Sequence, residues 1–335
     1  MNDEKFKHEI LLQLKTYGFE DFEQQNKNGE NALMFCILNY KEKNLNFSTS
    51  HWDYLIKNTN LKQTNHDNWN NLLYALNYTR LNDIIFTKKQ WNYLIKNSDL
   101  KQQESNGWNA LMFVMLYNKS KNIQLNKKQI QYIIKNSNLK QQNKKGFNPL
   151  MYALIYNQEE NIQLSSKQWD YLIENSDLKQ QNNLGNNALL MTCIYNQTKH
   201  IYFTTNQLEK LIEKSDLKQE NQIGWNALIT AIKYHSNKIY LNKNNFQKLV
   251  EPFTLKEKEK IFEKIIEEYY NNNLSEENIL FVIYDLQFPI SKKNKVWLLE
   301  NKYHKILQMI EKRDILLQLN QDLTKYSNIQ KSLKI

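Results

Sequence analysis

A 39-residue period governs this chain. Trp52, Trp91, Ile130, Trp169, Leu208 and Phe246 open equivalent segments at spacings of 39, 39, 39, 39 and 38 residues. The series Gly29, Asn68, Gly107, Gly146, Gly185 and Gly224 keeps a spacing of 39 and uses five of the six glycines. Self-similarity at such a period means units that cannot bury their apolar faces alone and must stack on neighbours. A position that takes Gly and once Asn calls for a left-handed backbone, because these residues tolerate positive φ best.

Within each unit the residue types set the elements. Two residues after the turn stands Asn31, Asn70, Asn109, Asn148, Asn187 or Asn226, followed by an apolar run such as Ala110 to Leu116. Asn is a favoured helix N-cap, and Pro149 suits the first helical position, so a buried first helix starts here. A second helix follows Ser48, Thr87, Asn126, Ser165, Thr204 and Asn242; those after Thr87, Ser165 and Thr204 have the Ser/Thr-x-x-Gln capping box. Asn58, Asn97, Asn136 and Asn175 near its end are expected to close it in the left-handed conformation. The alternating pairs Leu45 and Phe47, Ile123 and Leu125, and Ile162 and Leu164 suit an extended segment between the helices.

These features together resemble ankyrin repeats. Leu172 to Leu189, LIENSDLKQQNNLGNNAL, follows that family's order of helix end, hairpin finger, Gly turn and new helix, and Pro149 sits where the family has its usual proline. The resemblance covers residues 8 to about 250 in six phased copies. It implies an all-α solenoid of helix-loop-helix repeats with short extended fingers, capped by a helical C-terminal region. It also implies a binding protein. Two departures stand out: Asn replaces the usual Thr before the first helix, and no His follows its Leu, so the family's capping network must be altered. The unit is also longer than the family's.

The organisation expected is a capping helix and first finger over 1–28, the repeats over 29–251 and a helical C-terminal cap or small module over 252–335. Residues 3 to 17 read as one amphipathic helix ending near Gly18; after Pro252, helical patterns fall near 254–271, 276–286 and 292–320, and the last ten residues are expected to fray.

Hydrophobic residues at 41 % suffice for a packed core, and no stretch has the 18 or so apolar residues of a membrane span. With no apolar leader in MNDEKFKHEI, a monomeric cytoplasmic protein is expected. Cys36 and Cys193 lie in apolar runs and read as free core thiols. Motifs for phosphate loops, zinc proteases and nucleophile elbows are missing, so neither enzyme activity nor a cofactor is expected. His8, His51, His66, His200, His235 and His304 fall at unrelated phases, which argues against a metal site. The charge of +10 is read as spread along the chain. The Asn, Lys and Ile bias matches an A+T-rich genome, from which an ankyrin-like bacterial effector or adaptor delivered into a host would be unsurprising.

Two ladders are candidate partner-binding residues. Lys62, Lys101, Lys140, Lys179 and Lys218 recur once per unit, and stacking would set them in a row at about 10 Å steps. Trp69, Trp108, Phe147 and Trp225 directly follow the turn residue, at a phase the family often points at its ligand; packing between fingers is the competing reading. His66, Lys144 and Lys145, at finger tips that differ between units, are candidates for specificity, alongside Asn65, Asp67, Glu104 and Ser105. The leading expectation is a protein partner with an acidic or extended segment, held by the fingers and concave face. The alternative is nucleic acid, with lysines on phosphates and rings on bases. With Arg nearly absent, base reading is disfavoured.

Overall fold

The computed structural model describes residues 2–118, 120, 122–157, 163–195, 203–234 and 241–332. Ile162, His200 and His235 lie outside the described residues. The chain divides into two compact units, Met1–Ser215 and Asp216–Ile335. The fold is all-α: among the described residues the extended structure consists of two isolated bridges, Thr64 to Asn70 and Gln103 to Asn109.

In the first unit, first helices α2 (Ala32–Asn39), α4 (Asn71–Tyr78), α6 (Ala110–Tyr117), α8 (Pro149–Tyr156) and α10 (Ala188–Tyr195) pack in one row. Second helices α3 (Thr49–Lys57), α5 (Lys88–Asn97), α7 (Lys127–Asn136), α9 (Ser166–Asn175) and α11 (Thr205–Lys214) form another. The N-terminal helix α1 (Asn2–Leu14) ends through a short 3₁₀ turn at Gly18 and packs on α3 as a further member of the second row. Its Ile10 and Leu14 are fully buried, which covers the apolar side of the first second-helix.

The turn residues Gly29, Asn68, Gly107, Gly146 and Gly185 have φ between 62° and 83°, the left-handed value that the Gly/Asn pattern demands. Asn31, Asn70, Asn109, Asn148 and Asn187 cap the first helices by accepting a backbone N–H three residues on. Capping boxes close the second helices not only after Thr87, Ser165 and Thr204 but also after Ser48 and Asn126, where His51 and Gln129 fill the third position. Trp52, Trp91, Ile130, Trp169 and Leu208 are buried, as are Leu45, Phe47, Ile123 and Leu125 of the connecting segments.

The expected left-handed close of the second helices is overturned. Asn58 has φ −103°, and Asn97, Asn136 and Asn175 are the last helical residues. Each amide instead donates to the carbonyl four residues back, for example Asn97 Nδ2 to Tyr93 O at 2.8 Å. That bond adds a second donor to a carbonyl of the last turn, which already accepts the backbone N–H in Tyr54 and Asn58, and it does so from a right-handed backbone.

Amides also tie the units together, in place of the altered family network. The capping-box glutamines donate into the first turn of the preceding second helix: Gln90 to Thr49 O, Gln129 to Lys88 O, Gln168 to Lys127 O and Gln207 to Ser166 O, at 3.0–3.4 Å. First-helix caps reach forward, Asn31 to Gln63, Asn109 to Gln141 and Asn148 to Gln180, each at 3.0 Å. The asparagine bias is thus used structurally: Asn31, Asn70, Asn109, Asn148 and Asn187 are all fully buried.

In the second unit α12 (Ala227–Lys233) and α13 (Lys243–Val250) repeat the pair, with Asn226 and Asn242 as caps. Beyond it stand α14 (Leu255–Tyr270), α15 (Glu276–Leu280) running into a π turn at Phe281–Asp285, α16 (Lys292–Glu300) and α17 (His304–Ser332). The single helix expected over 292–320 is therefore two, broken where Lys302 takes φ 61°, and the backbone is helical through Ser332; residues 333–335, part of the stretch expected to fray, lie outside the described residues. Phe262 and Phe288 stack at the centre of this unit, and Arg313 is nine-tenths buried, donating to Phe288 O.

Cys36 and Cys193 are free and buried; burial lifts the Cys36 thiol far above its usual range and that of Cys193 to about 12. Because the thiolate is the nucleophile, a water-soluble disulfide reagent at pH 8 is expected to label neither in the native protein and both in urea.

Candidate functional site

The fingers of the first unit are closed by one amide or carboxylate each. Asn65 Oδ1 accepts the N–H groups of Asp67 and Trp69, Glu104 accepts those of Asn106 and Trp108, and Asn143 those of Lys145 and Phe147, all at 2.8–3.0 Å. Asn65 and Glu104 are buried and hold the turn from within. Neighbouring tips are joined through backbone: His66 N donates to Asn28 O, Ser105 N to Asp67 O, Lys144 N to Asn106 O and Asn183 N to Lys145 O. The side chains of His66, Asp67, Ser105, Lys144 and Lys145 remain exposed.

The finger rings fold back onto the first helices. Trp69 lies 5.7 Å from Tyr74 and Tyr78 of its own unit and 5.4 Å from Phe113 of the next. Trp108 stacks on Phe113 at 5.1 Å and meets Tyr152 at 4.6 Å, and Phe147 meets Tyr152 at 5.4 Å. Tyr117 sits against Phe113, and Tyr156 lies parallel to Tyr152. A continuous aromatic row therefore crosses three repeats, its finger rings and outer tyrosines half-buried. Trp225, in the second unit, is buried at 8 % exposure, unlike the other three.

Polar contacts fix this row. Arg80 lies 4.2 Å over the Tyr117 ring and donates to its hydroxyl. Tyr74 donates to buried Glu30 at 2.8 Å and accepts from Asn65, and Tyr152 accepts from Asn143. Burial raises the phenols, Tyr152 to about 12 and Tyr74, Tyr78 and Tyr156 above their usual value. At any physiological pH these four phenols are neutral. The row can offer apolar ring surface and hydroxyl groups, and it has no nucleophile or general base.

The lysine ladder follows an Asx turn. The backbone N–H groups of Lys62, Lys101, Lys140 and Lys179 donate to Oδ1 of Asn60, Asp99, Asn138 and Asp177 at 2.9–3.1 Å, and all four side chains are exposed. Lys218, in the second unit, makes the same bond to Asp216 Oδ1 at 3.0 Å and also forms an ion pair with Glu257 at 2.8 Å, which holds that carboxyl down at about 2. Among the described residues no cluster of three His, Cys, Asp or Glu side chains could hold a metal, and no helix is long and apolar enough to cross a membrane.

The tyrosine partners were missed in sequence, although Tyr78, Tyr117, Tyr156, Tyr195 and Tyr234 recur every 39 residues. They were hidden in first helices read as uniformly apolar. The charge reading also changes. Residues 101–150 hold nine lysines against one carboxylate, Glu104, a net +8 of the chain's +10, so the charge is concentrated and not spread.

Residues 88–165 match the family model of ankyrin repeats, three copies. No curated protein matches the chain. Among similar solved structures is the ankyrin repeat domain of Bcl-3, of the IkappaB family, 13 % identical over 72 % of this chain and 91 % of that one, with a TM-score of 0.42. Another is a complex of a predatory endopeptidase with an immunity protein from Bdellovibrio bacteriovorus, 18 % identical over 68 % of this chain and 98 % of the other, with a TM-score of 0.40. The 39-residue helix pairs, the positive-φ finger turns and the family match together identify this chain as an ankyrin-repeat-like protein.

Proposed function

We propose that the chain is a non-enzymatic scaffold for protein interaction, and that a partner segment lies along the fingers and first helices of the first unit. The observation that carries this reading is the aromatic row from Trp69 to Tyr156, half-exposed and held by packing on both sides. Rigid aromatic anchors of this kind dominate interface energetics. Lys62, Lys101 and Lys140, with Lys144 and Lys145 at one tip, border the fingers with positive charge, which favours an extended segment carrying acidic residues. A role as effector or adaptor requires nothing more than such binding.

Base stacking on the finger rings is the weaker use of this surface. Trp108 already has Phe113 and Tyr152 against it, and stacking on an unpaired base needs a free ring face.

The test is capture of a partner from extract by the intact protein and by a Trp69→Ala, Trp108→Ala variant of matched helicity. Each truncated anchor is expected to cost about 2 kcal/mol of binding or more, so the variant should lose the partner. Retention by the variant, or recovery of nucleic acid alone, would sink this assignment.

A further inference from the structure

We propose that the outer face of α5 and α7 binds the phosphate backbone of double-stranded nucleic acid without reading its sequence. This inference uses a different surface from the aromatic row and does not rest on it. The helix sequences KKQWNYLIKN and KKQIQYIIKN each carry three lysines and no acid. The second helices that follow carry no such excess: α9 has Lys167 against Asp170 and Glu174, and α11 has two lysines and two glutamates.

Lys88, Lys89, Lys96, Lys127, Lys128 and Lys135 are all exposed, and among the described residues none forms an ion pair. Elsewhere the chain does pair its lysines, as in Lys41 with Asp83 and Lys210 with Glu174. Four of the six stand in the first helical turn, where the helix dipole disfavours cations. The charge is therefore kept against local helix stability. The two helices are neighbours in register, since Gln129 Nε2 donates to Lys88 O and to Asn92 Oδ1. Between them runs a shallow groove with Lys88, Lys96 and Lys128 along it and Asn92, Asn126 and Tyr132 among its lining.

Charge density selects the occupant. Lys89 and Lys96, like Lys128 and Lys135, are seven residues apart, about 10 Å along the helix, and neighbouring helices lie about 10 Å apart. Over the roughly 15 Å length of a ten-residue helix, a duplex presents about nine phosphates at one charge per ~1.7 Å. Counted whole in the same way, an extended acidic peptide carries at most about five charges over that length, at ~3.3 Å per residue. Six lysines exceed the second count and not the first. A bilayer fits less well, since Tyr132 is the one exposed large apolar side chain on these helices and surface-bound proteins add apolar insertion to charge. Lysine without arginine neutralises phosphates but lacks the planar fork that reads guanine edges.

The test is fluorescence anisotropy of the intact chain with a labelled 25-base-pair DNA duplex of mixed sequence. If all six lysines engage, log Kd is expected to follow log salt with a slope magnitude of about 5, so affinity falls about a thousand-fold between 50 and 200 mM salt. Duplexes of unrelated sequence should bind within about threefold of one another. Lys89→Gln, Lys96→Gln, Lys128→Gln and Lys135→Gln together should lower the slope magnitude by between three and four, at about 0.9 per phosphate contact. A control with the same charge loss, Lys7→Gln, Lys15→Gln, Lys27→Gln and Lys260→Gln, all exposed and outside both proposed surfaces, should leave the slope nearly unchanged. No binding at 50 mM salt, or equal loss in the control, would overturn the proposal. So would poly-glutamate competing as well as DNA, which would point to an acidic protein, or phosphatidylserine vesicles binding as tightly, which would point to a membrane surface.

Discussion

Gly107→Ala is expected to lower the stability of the first unit by about 2–5 kcal/mol, combining the 1–2 kcal/mol of a left-handed alanine with the 1–3 kcal/mol of overpacking. Gly107 has φ 83°, and an added Cβ would lie 2.7 Å from Asn143 Cα and 2.9 Å from Gln142 O. Both are backbone atoms of the next finger, so no side-chain rotation relieves the clash. The built-in control is Gly18→Ala. Gly18 has φ 86° but nothing within 4 Å of the new methyl group, so only the backbone term of about 1–2 kcal/mol remains. Urea unfolding followed by circular dichroism measures both, and equal losses would show that contact between fingers contributes nothing. Asn68 at the same phase sets the lower bound, because there a Cβ is accommodated and the following finger bonds to Asn68 O through Gln102.

Features that one residue type dictates by itself were legible in the sequence: the positive-φ turns, the Asn caps, Pro149 at the helix start and the buried Trp series all appear where their chemistry puts them. The misreadings share a cause, which is that a side chain has more than one way to satisfy a helix end. Asn97 was read through its tolerance of left-handed backbone, whereas its amide reaches back to Tyr93 O. Lys302 takes φ 61° with no Gly or Pro to announce the break before α17. In the candidate site, the finger rings were visible but their tyrosine partners were not, because Tyr78 and Tyr117 close runs that look wholly apolar. Chain-averaged charge likewise hid α5 and α7. The Asn content, read as genomic bias, turns out together with Gln to form the bonds between units.

That network makes the second large prediction. Asn109 is fully buried; its Oδ1 accepts the Met112 N–H at 3.1 Å, and its Nδ2 donates to Asn138 O and Gln141 Oε1 at 3.3 and 3.0 Å. Asn109→Ser keeps a good cap but leaves those two acceptors without their donor, an expected loss of about 1–3 kcal/mol. Asn109→Asp keeps the cap acceptor and turns a carboxylate oxygen toward two oxygens. Gln141 cannot flip to meet it without breaking its own bond to Lys101 O at 2.9 Å. The expected loss at pH 8 is about 3–5 kcal/mol, that of an uncompensated buried charge. The sign with pH follows from linkage. Burial raises the folded pKa of the new carboxyl above its unfolded ~3.9, so the defect is full well above the folded value and fades as pH falls through it. The gap to the parent protein should therefore narrow between pH 8 and pH 5. Paired carboxyls such as Glu257, held near 2, lose their contribution only in stronger acid and do so in both proteins. A Ser variant as stable as the parent, or an Asp variant whose defect ignores pH, would mean that these amides cap helices without joining the repeats.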